Sequence, residues 1–153
     1  KTATTDRCIV FNTYGEPLLF ATAGRNYNFW NPEQTDETRY INNTVTKNNL
    51  KPNLSGFSTL KDQINLFGNE DRRGIYYNVS HIAKTDTVAC RWLILSEKSP
   101  YNLNELLKQI RPHTIIADAS VSPSMLKKWK EQIEHRDMEI YDISQKGAFI
   151  EKW

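Results

Sequence analysis

The sequence is poor in the residues that build metal sites and disulfide scaffolds. Among 153 residues it has two cysteines, two methionines and three histidines. His81, His113 and His135 lie far apart and show no HxH or HExxH spacing, so the sequence indicates no hydrolytic zinc site. Two cysteines are too few for a scaffold built from disulfides. We therefore expect a domain that has no cofactor and is not an enzyme on its own.

The two cysteines leave two interpretations open. Cys8 and Cys90 are far apart in the sequence, and each has apolar neighbours. Free cysteines are usually buried as small apolar side chains, which is the first interpretation. The second is one disulfide that joins two strands in an oxidising compartment.

Long apolar runs and a strong charge of one sign are also missing. No run approaches the roughly 18 residues of a membrane-spanning helix. The net charge is +2, and residues 1–76 and 77–153 each carry one excess positive charge, so no basic stripe indicates strong binding to nucleic acid. The length and ordinary composition predict a single domain over 1–153. Because the chain begins at Lys1, we interpret it as a domain excised from a larger protein.

The pattern of apolar runs predicts an α/β domain. Residues 7–12 and 18–22 are β-rich and flank turn chemistry at 14–17, which predicts a hairpin. Residues 75–79, 91–96, 114–117 and 139–143 read as strands, and a turn at Gly147 precedes a last one. One predicted helix opens at Asn102 with Glu105 as a capping box, presents Leu103, Leu106, Leu107 and Ile110, and ends at Pro112. A second is capped by Ser122-Pro123. A helix beginning near Asp36 is a weaker expectation. Strands alternating with helices indicate βαβ units around a sheet.

Asp118 and Ser120 lie between a buried strand and a helix, where α/β sheets often bind ligands. The more common use of these residues at such a junction is to bond helix N-terminal amides and to tighten the turn. We favour this structural interpretation over a ligand site.

The basic run Lys127, Lys128, Trp129 and Lys130 raises the question of nucleic-acid binding. Helical spacing places Trp129 with Met125, Leu126 and Ile133, which predicts a core residue rather than a stacking platform. Lys127 and Lys130 are each followed at i+4 by a glutamate, and this indicates a charge-balanced, solvated face. Lys128 has no such partner.

Four motifs in order resemble the soluble C-terminal region of ComEC-type competence proteins of Bacteroides-like bacteria, which are polytopic membrane proteins of DNA uptake. They are the WLILS strand at 92–96, the P-x-x-I-x-A-D-x-S stretch at 112–120, the W-K pair at 129–130 and KGAF at 146–149. The hairpin segments CIVFN and TAGRNYNF also resemble the start of that tail. The resemblance implies a location outside the inner membrane, in the periplasm, with the remainder of the membrane channel as a partner.

In other members of the wider family this tail is a metallo-β-lactamase-like domain, with a His-His-Gly-Ser element after the strand that corresponds to 92–95 and an HxHxDH motif upstream. Here Ser96-Glu97-Lys98-Ser99 stands at the first place, and HxHxDH is absent. The resemblance therefore implies a mixed β-sheet with packed helices, a shortened metallo-β-lactamase-like fold without its metal site.

These observations predict a non-catalytic domain of a DNA-uptake protein, structural or weakly guiding single-stranded DNA. Its candidate contacts with DNA are Arg25, Lys127, Lys128 and Lys130, and Asp118, Ser120 and Gly147 form turns of the family motif. One alternative is a metal-dependent nuclease that uses His81, Asp86, His113 and Asp118. The other is a module that docks further uptake components.

Overall fold

Two β-sheets run through the computed structural model, which describes residues 7–11, 18–23, 26–30, 51–52, 57–59, 64–68, 73–82, 84 and 86–152. The first sheet has five strands in the order β11-β1-β2-β3-β4. Its strands are β1 (Arg7–Phe11), β2 (Leu18–Ala23), β3 (Asn26–Trp30), β4 (Lys51–Pro52) and β11 (Phe149–Lys152). The pair β1 and β2 is antiparallel, which confirms the predicted hairpin. The turn at 14–17, Arg25 and the helix expected near Asp36 fall outside the described residues.

The second sheet has six strands in the order β10-β9-β8-β7-β6-β5. Its strands are β5 (Phe57–Thr59), β6 (Asn65–Gly68), β7 (Arg73–Tyr77), β8 (Val88–Leu95), β9 (Ile110–Ala117) and β10 (Ile140–Asp142). The four strands from β7 to β10 are parallel, whereas β5 and β6 pair antiparallel. Three described helices accompany them: α1 (Leu103–Leu106), α2 (Pro123–Gln132) and α3 (Ile143–Lys146). The chain is therefore an α/β domain with mixed sheets and packed helices, as predicted.

The register of the parallel strands divides the second sheet into two apolar faces. One row across the strands joins Ile75, Leu93, Ile115 and Ile140. All four belong to a buried cluster with side chains of α1 and α2, which we call the helix-side core. Both helices cross over between neighbouring parallel strands and cover this face, as βαβ units do.

The adjacent row faces the first sheet, because successive side chains of a strand point to opposite faces. It joins Tyr76, Ile94, Ile116 and Tyr141. The first three are fully buried with Trp92 and with side chains of the first sheet, and Tyr141 packs against them. This cluster, the inter-sheet core, receives Cys8, Val10 and Phe149 from β1 and β11. The described layers are thus helices, six-stranded sheet and five-stranded sheet.

Helix α2 forms as its sequence predicts. The Ser122 side chain accepts a hydrogen bond from the Met125 amide, and Pro123 occupies the first turn, where a missing amide N–H costs nothing. Leu126 and Trp129 are buried in the helix-side core. Trp129 is fully buried, and its Nε1 donates to the Pro100 carbonyl at 3.1 Å. The prediction that Trp129 is a core residue is confirmed.

Helix α1 is shorter than predicted. Asn102 does cap it, since its side chain accepts from the Glu105 amide at 3.1 Å. The prediction that the helix continues through Ile110 and ends at Pro112 is wrong, because both residues belong to β9. Ladder pairing begins at Val88 opposite Ile110, so the strand replaces the last helical turn. Pro112 is tolerated because β10 pairs only with the end of β9, and the missing amide is therefore not required there.

The two cysteines lie on opposite faces of the six-stranded sheet, and both are free. Cys8 is fully buried in the inter-sheet core, and half-buried Cys90 packs against the helix-side core. The disulfide interpretation is therefore wrong, and the apolar interpretation is confirmed. Burial raises the pKa of Cys8 well above its usual value and that of Cys90 to about 12, so both thiols stay protonated and unreactive at neutral pH.

Glu151 on β11 joins the first sheet to the second through three hydrogen bonds. Its carboxylate accepts from Arg91 Nε at 3.1 Å, from Arg91 Nη2 at 2.6 Å and from Trp92 Nε1 at 2.6 Å. Burial by itself would raise the pKa of Glu151, but these donors together outweigh it and lower that pKa. A half-buried carboxylate is thus kept charged by an arginine and an indole on the neighbouring sheet.

The same contact coincides with a break in the alternation of β8. Val88 and Cys90 pack against the helix-side core, whereas Trp92 lies in the inter-sheet core. The pairing of β8 with β9 includes residues on both sides of Arg91 but not Arg91 itself. Consecutive side chains in a regular strand point to opposite faces, yet Arg91 and Trp92 both reach Glu151. The irregularity lets two neighbours share one acceptor.

Removing the Trp129 side chain should lower the free energy of unfolding by about 3–5 kcal/mol, because a large buried aromatic leaves a cavity. We expect Trp129→Ala to show this loss in urea denaturation. Trp129→Phe is the matched variant, since it keeps an aromatic ring and gives up the bond to Pro100, so its loss should be smaller. Equal midpoints for wild type and Trp129→Ala would contradict the buried position.

Glu151→Gln should destabilise the domain by about 1.5–3 kcal/mol at pH 7, the range for losing a hydrogen bond to a charged group. Because folding lowers the pKa of Glu151, its stabilisation is complete above the unfolded carboxyl value of about 4.3 and is lost as pH falls through the folded value. The gap between wild type and variant in urea midpoints should therefore close in acid. Exposed Glu139→Gln is the control, and a gap that persists unchanged at pH 2 would refute this account.

Candidate functional site

The carboxyl ends of β7, β8 and β9 meet at one edge of the six-stranded sheet. Parallel strands bring the residues that follow them together, and α/β sheets bind ligands at this end. The residues that follow here are Asn78, Ser96 and Asp118. This is also the edge at which the sequence resemblance locates a metal site in related domains.

The turn after β8 is held by the hydroxyl groups of Ser96 and Ser99. Ser96 Oγ donates to Asn78 Oδ1 at 2.5 Å and accepts from the Lys98 amide at 3.1 Å. Ser99 Oγ accepts from the Ser96 amide at 2.8 Å and donates to the Tyr77 carbonyl. Both serines are buried. Their hydroxyls therefore fasten the β8 turn to the end of β7.

Asp118 and Ser120 fasten the β9 turn to the β8 turn. Asp118 is buried, and its Oδ1 accepts from both the amide and the hydroxyl of Ser120. Ser120 Oγ in turn accepts from the Glu97 amide at 2.9 Å. The geometry tightens the turn, as the structural interpretation supposed. The helix amides are capped by Ser122 instead, so that part of the interpretation is corrected.

Gly147 forms the predicted turn before β11. It follows α3, its amide donates to the Ile143 carbonyl at 2.9 Å, and its φ of 79° with ψ of −166° lies in a region that is essentially restricted to glycine. The turn directs the chain back into the first sheet, where Phe149 and Glu151 make their contacts. The role of Gly147 is therefore to form this turn.

The residues at this edge do not fit a zinc or manganese centre. Such centres need histidine, cysteine or carboxylate ligands that converge on one point. Ser96 and Ser99 offer hydroxyls that already hold turns, and Glu97 is exposed. Within the part of the chain that the structure describes, no three side chains of histidine, cysteine, aspartate or glutamate cluster as a metal site would require.

The ligands suggested for a nuclease are not brought together. His113 lies in β9 and Asp118 directly follows that strand, five residues later, which corresponds to about 16 Å of extended chain. His113 is exposed and lies within 3.2 Å of Thr114 Oγ1. His81 and Asp86 lie in the segment between β7 and β8 and complete no cluster of three with either residue among the described ranges. This proposed ligand set is therefore not assembled.

The three lysines of α2 are exposed, but they do not share one surface. Lys127 and Lys130 line a cavity of about 640 Å³ between α2 and α3, together with Glu131, Glu134 and Asp142. Among the described residues, no ion pair joins Lys127 to Glu131 or Lys130 to Glu134. The glutamates therefore reduce the positive potential around these lysines without contacting them directly. Three acidic and two basic groups make this cavity a poor match for a phosphate backbone.

Lys128 faces away from the cavity and lies against Tyr101. Its Nζ is 5.0 Å from the centre of the Tyr101 ring, within the range of a cation–π contact. The neighbouring Tyr101 side chain raises the pKa of Lys128, and nearby Glu131 adds a smaller effect in the same direction. Tyr101 is not predicted from the sequence, because nothing in the local pattern connects this turn residue with Lys128, 27 positions later in a helix.

Comparison with known proteins identifies one family. Residues 8–153 match the sequence family of the ComEC C-terminal domain. No curated protein matches the chain. No solved structure matches it either. None of the described helices is long and apolar enough to cross a membrane. Because the match covers nearly the whole sequence and agrees with the ordered motifs, the chain belongs to the ComEC C-terminal domain family.

Proposed function

We propose that this domain serves DNA uptake without catalysing a reaction, as a structural part of a ComEC-type channel that guides single-stranded DNA through weak contacts. Family membership ties the chain to competence. The observation that carries the non-catalytic role is the carboxyl edge of the sheet. There, the hydroxyls of Ser96 and Ser99 and the carboxylate of Asp118 are engaged in hydrogen bonds that hold the turns, and no cluster of metal ligands forms among the described residues.

The layered arrangement supports a relation to metallo-β-lactamase-like domains. Two sheets face each other across the inter-sheet core, and helices cover the outer face of the six-stranded sheet. In our proposal the domain keeps this layered scaffold, and hydrogen-bonded turns occupy the carboxyl edge of the six-stranded sheet. The domain would lie on the periplasmic side, attached to the remainder of the membrane channel, and the parent protein would anchor it to the inner membrane.

Weak guidance of DNA is supported by the position of the α2 lysines. Lys127, Lys128 and Lys130 are all exposed, so they can approach phosphates without a change of fold. The acidic groups near Lys127 and Lys130 reduce the local positive potential. Lys128 is therefore the strongest candidate among them for a phosphate contact. Arg25 is a further candidate from the sequence.

A second candidate function is docking of another uptake component. The observation that favours it is the cavity between α2 and α3, which is lined by the apolar residues Val121, Pro123 and Leu126 and by charged residues of both signs. Polar rims around apolar centres are typical of protein interfaces. DNA binding and its salt dependence separate the two functions.

The purified domain should contain no stoichiometric zinc or manganese and should show no nuclease activity. The physical reason is the missing convergence of histidine and carboxylate ligands among the described residues. Elemental analysis after dialysis, together with degradation assays with and without added Mn²⁺, makes the measurement. One or two metals per chain, whose removal by a chelator abolishes DNA cleavage, would establish the nuclease instead.

Binding of single-stranded DNA should be weak and independent of sequence, with a dissociation constant near 10⁻⁴ M, at roughly the weak end of nonspecific binding at physiological salt. A surface that neutralises two or three phosphates predicts a log–log salt slope of roughly −1.4 to −2.1. Lys128→Gln should reduce the slope by about 0.7 and Lys146→Gln should not.

Titration of labelled oligonucleotides at several salt concentrations tests this prediction. Submicromolar binding that survives salt, or preference for one sequence, would demonstrate a preorganised site. No binding at low salt would leave docking as the better supported function.

A further inference from the structure

Tyr101 is the most exposed large hydrophobic side chain in the described part of the molecule. It is 56% exposed, and Ile150 follows at 54%. Tyr101 lies in the turn between β8 and α1, next to the carboxyl edge of the sheet. An aromatic ring exposed to this degree presents a π-face on which another ring can stack.

The backbone that carries Tyr101 is held firmly by α2. Trp129 Nε1 donates to the Pro100 carbonyl at 3.1 Å, and Gln132 Nε2 donates to the Tyr101 carbonyl at 3.0 Å. Gln132 Oε1 also accepts from the Leu103 amide at 2.7 Å. These bonds fix the main chain on both sides of the ring. The ring is therefore presented to solvent from a rigid support, which lowers the entropy that a ligand must overcome.

A second aromatic–cation pair provides an internal comparison. Lys146 Nζ lies 5.4 Å from the centre of the Tyr141 ring. That ring is half-buried, packs edge-on against Phe149 at 5.2 Å, and its hydroxyl donates to the Ala148 carbonyl at 3.1 Å. Tyr141 is therefore engaged in packing, whereas the Tyr101 ring remains open beside Lys128.

We propose that Tyr101 and Lys128 form a contact site for one nucleotide of single-stranded DNA, with the base stacked on the ring and a phosphate beside the ammonium group. The proposal rests on the proposed guiding function and deepens it. Stacking on an aromatic ring accepts every base, because each base has a π-face, and a neighbouring cation binds the backbone. A site of this chemistry binds a passing strand without reading its sequence.

The test compares two probes with equal charge. A labelled oligothymidylate and an abasic strand of the same length are titrated with the domain at low salt. Base stacking predicts at least about fivefold tighter binding of the oligothymidylate. Tyr101→Ala should abolish this difference, and Tyr101→Phe should retain it because the ring remains. Lys128→Gln should weaken binding of both probes.

Ile150→Ala is the matched control, since it removes an equally exposed apolar side chain on β11. It should leave both affinities unchanged. Gln132 of α2 bonds the Tyr101 carbonyl and not its side chain, so Tyr101→Ala keeps this backbone bond, and thermal melts verify the fold.

Equal affinity of the wild-type domain for both probes would overturn the stacking site while leaving electrostatic guidance intact. A base preference that survives in Tyr101→Ala would also overturn it, since the stacking would then occur elsewhere. Failure of the wild-type domain to bind either probe would overturn the guiding function itself, together with the site.

Discussion

The hydrogen bonds from Arg91 and Trp92 to the Glu151 carboxylate connect the two sheets. Apolar packing alone does not define the position of one sheet relative to the other. Glu151 belongs to β11, which lies beside β1, and its partners belong to β8 near the middle of the other sheet. Apolar burial is non-directional, whereas an arginine and an indole must meet the carboxylate in one geometry. The contact therefore fixes how the sheets face each other, and with it the inter-sheet core around Trp92.

The six-stranded sheet in turn positions everything at its carboxyl edge. Its rows of apolar residues set the register of four parallel strands, so the turns after β7, β8 and β9 come together. In these turns, serine hydroxyls and the buried Asp118 carboxylate bond backbone amides. The polar groups at this edge therefore serve to hold the turns in place. These hydrogen bonds support the proposed non-catalytic role of the domain.

Helix α2 links the core to the surface proposed to contact DNA. Its buried side carries Trp129, whose indole N–H bonds the Pro100 carbonyl, and its exposed side carries the lysines. Lys127 and Lys130 line the cavity, whereas Lys128, the neighbour of Lys127 in the sequence, lies against Tyr101 on another side of the helix. The same residue types therefore meet different neighbours, acidic on one side and aromatic on the other. Only the second environment suits a nucleotide.

Local sequence was sufficient where local physics decides. Spacing, capping and allowed dihedral angles predict the hairpin strands, the Ser122-Pro123 cap, the buried face of α2 and the Gly147 turn. The ordered motifs in the sequence also indicate the family to which the chain belongs. The local pattern predicts that the helix continues through Ile110 and ends at Pro112. Both residues lie in β9 instead, because strand pairing with β8 outweighs the helical spacing of the apolar residues. Contacts between residues distant in the chain had no local signal: Glu151 with Arg91 and Trp92, Glu97 with Ser120, and Tyr101 with Lys128. Only the tertiary structure decides these contacts, because they arise when separate strands and helices are brought to the same edge.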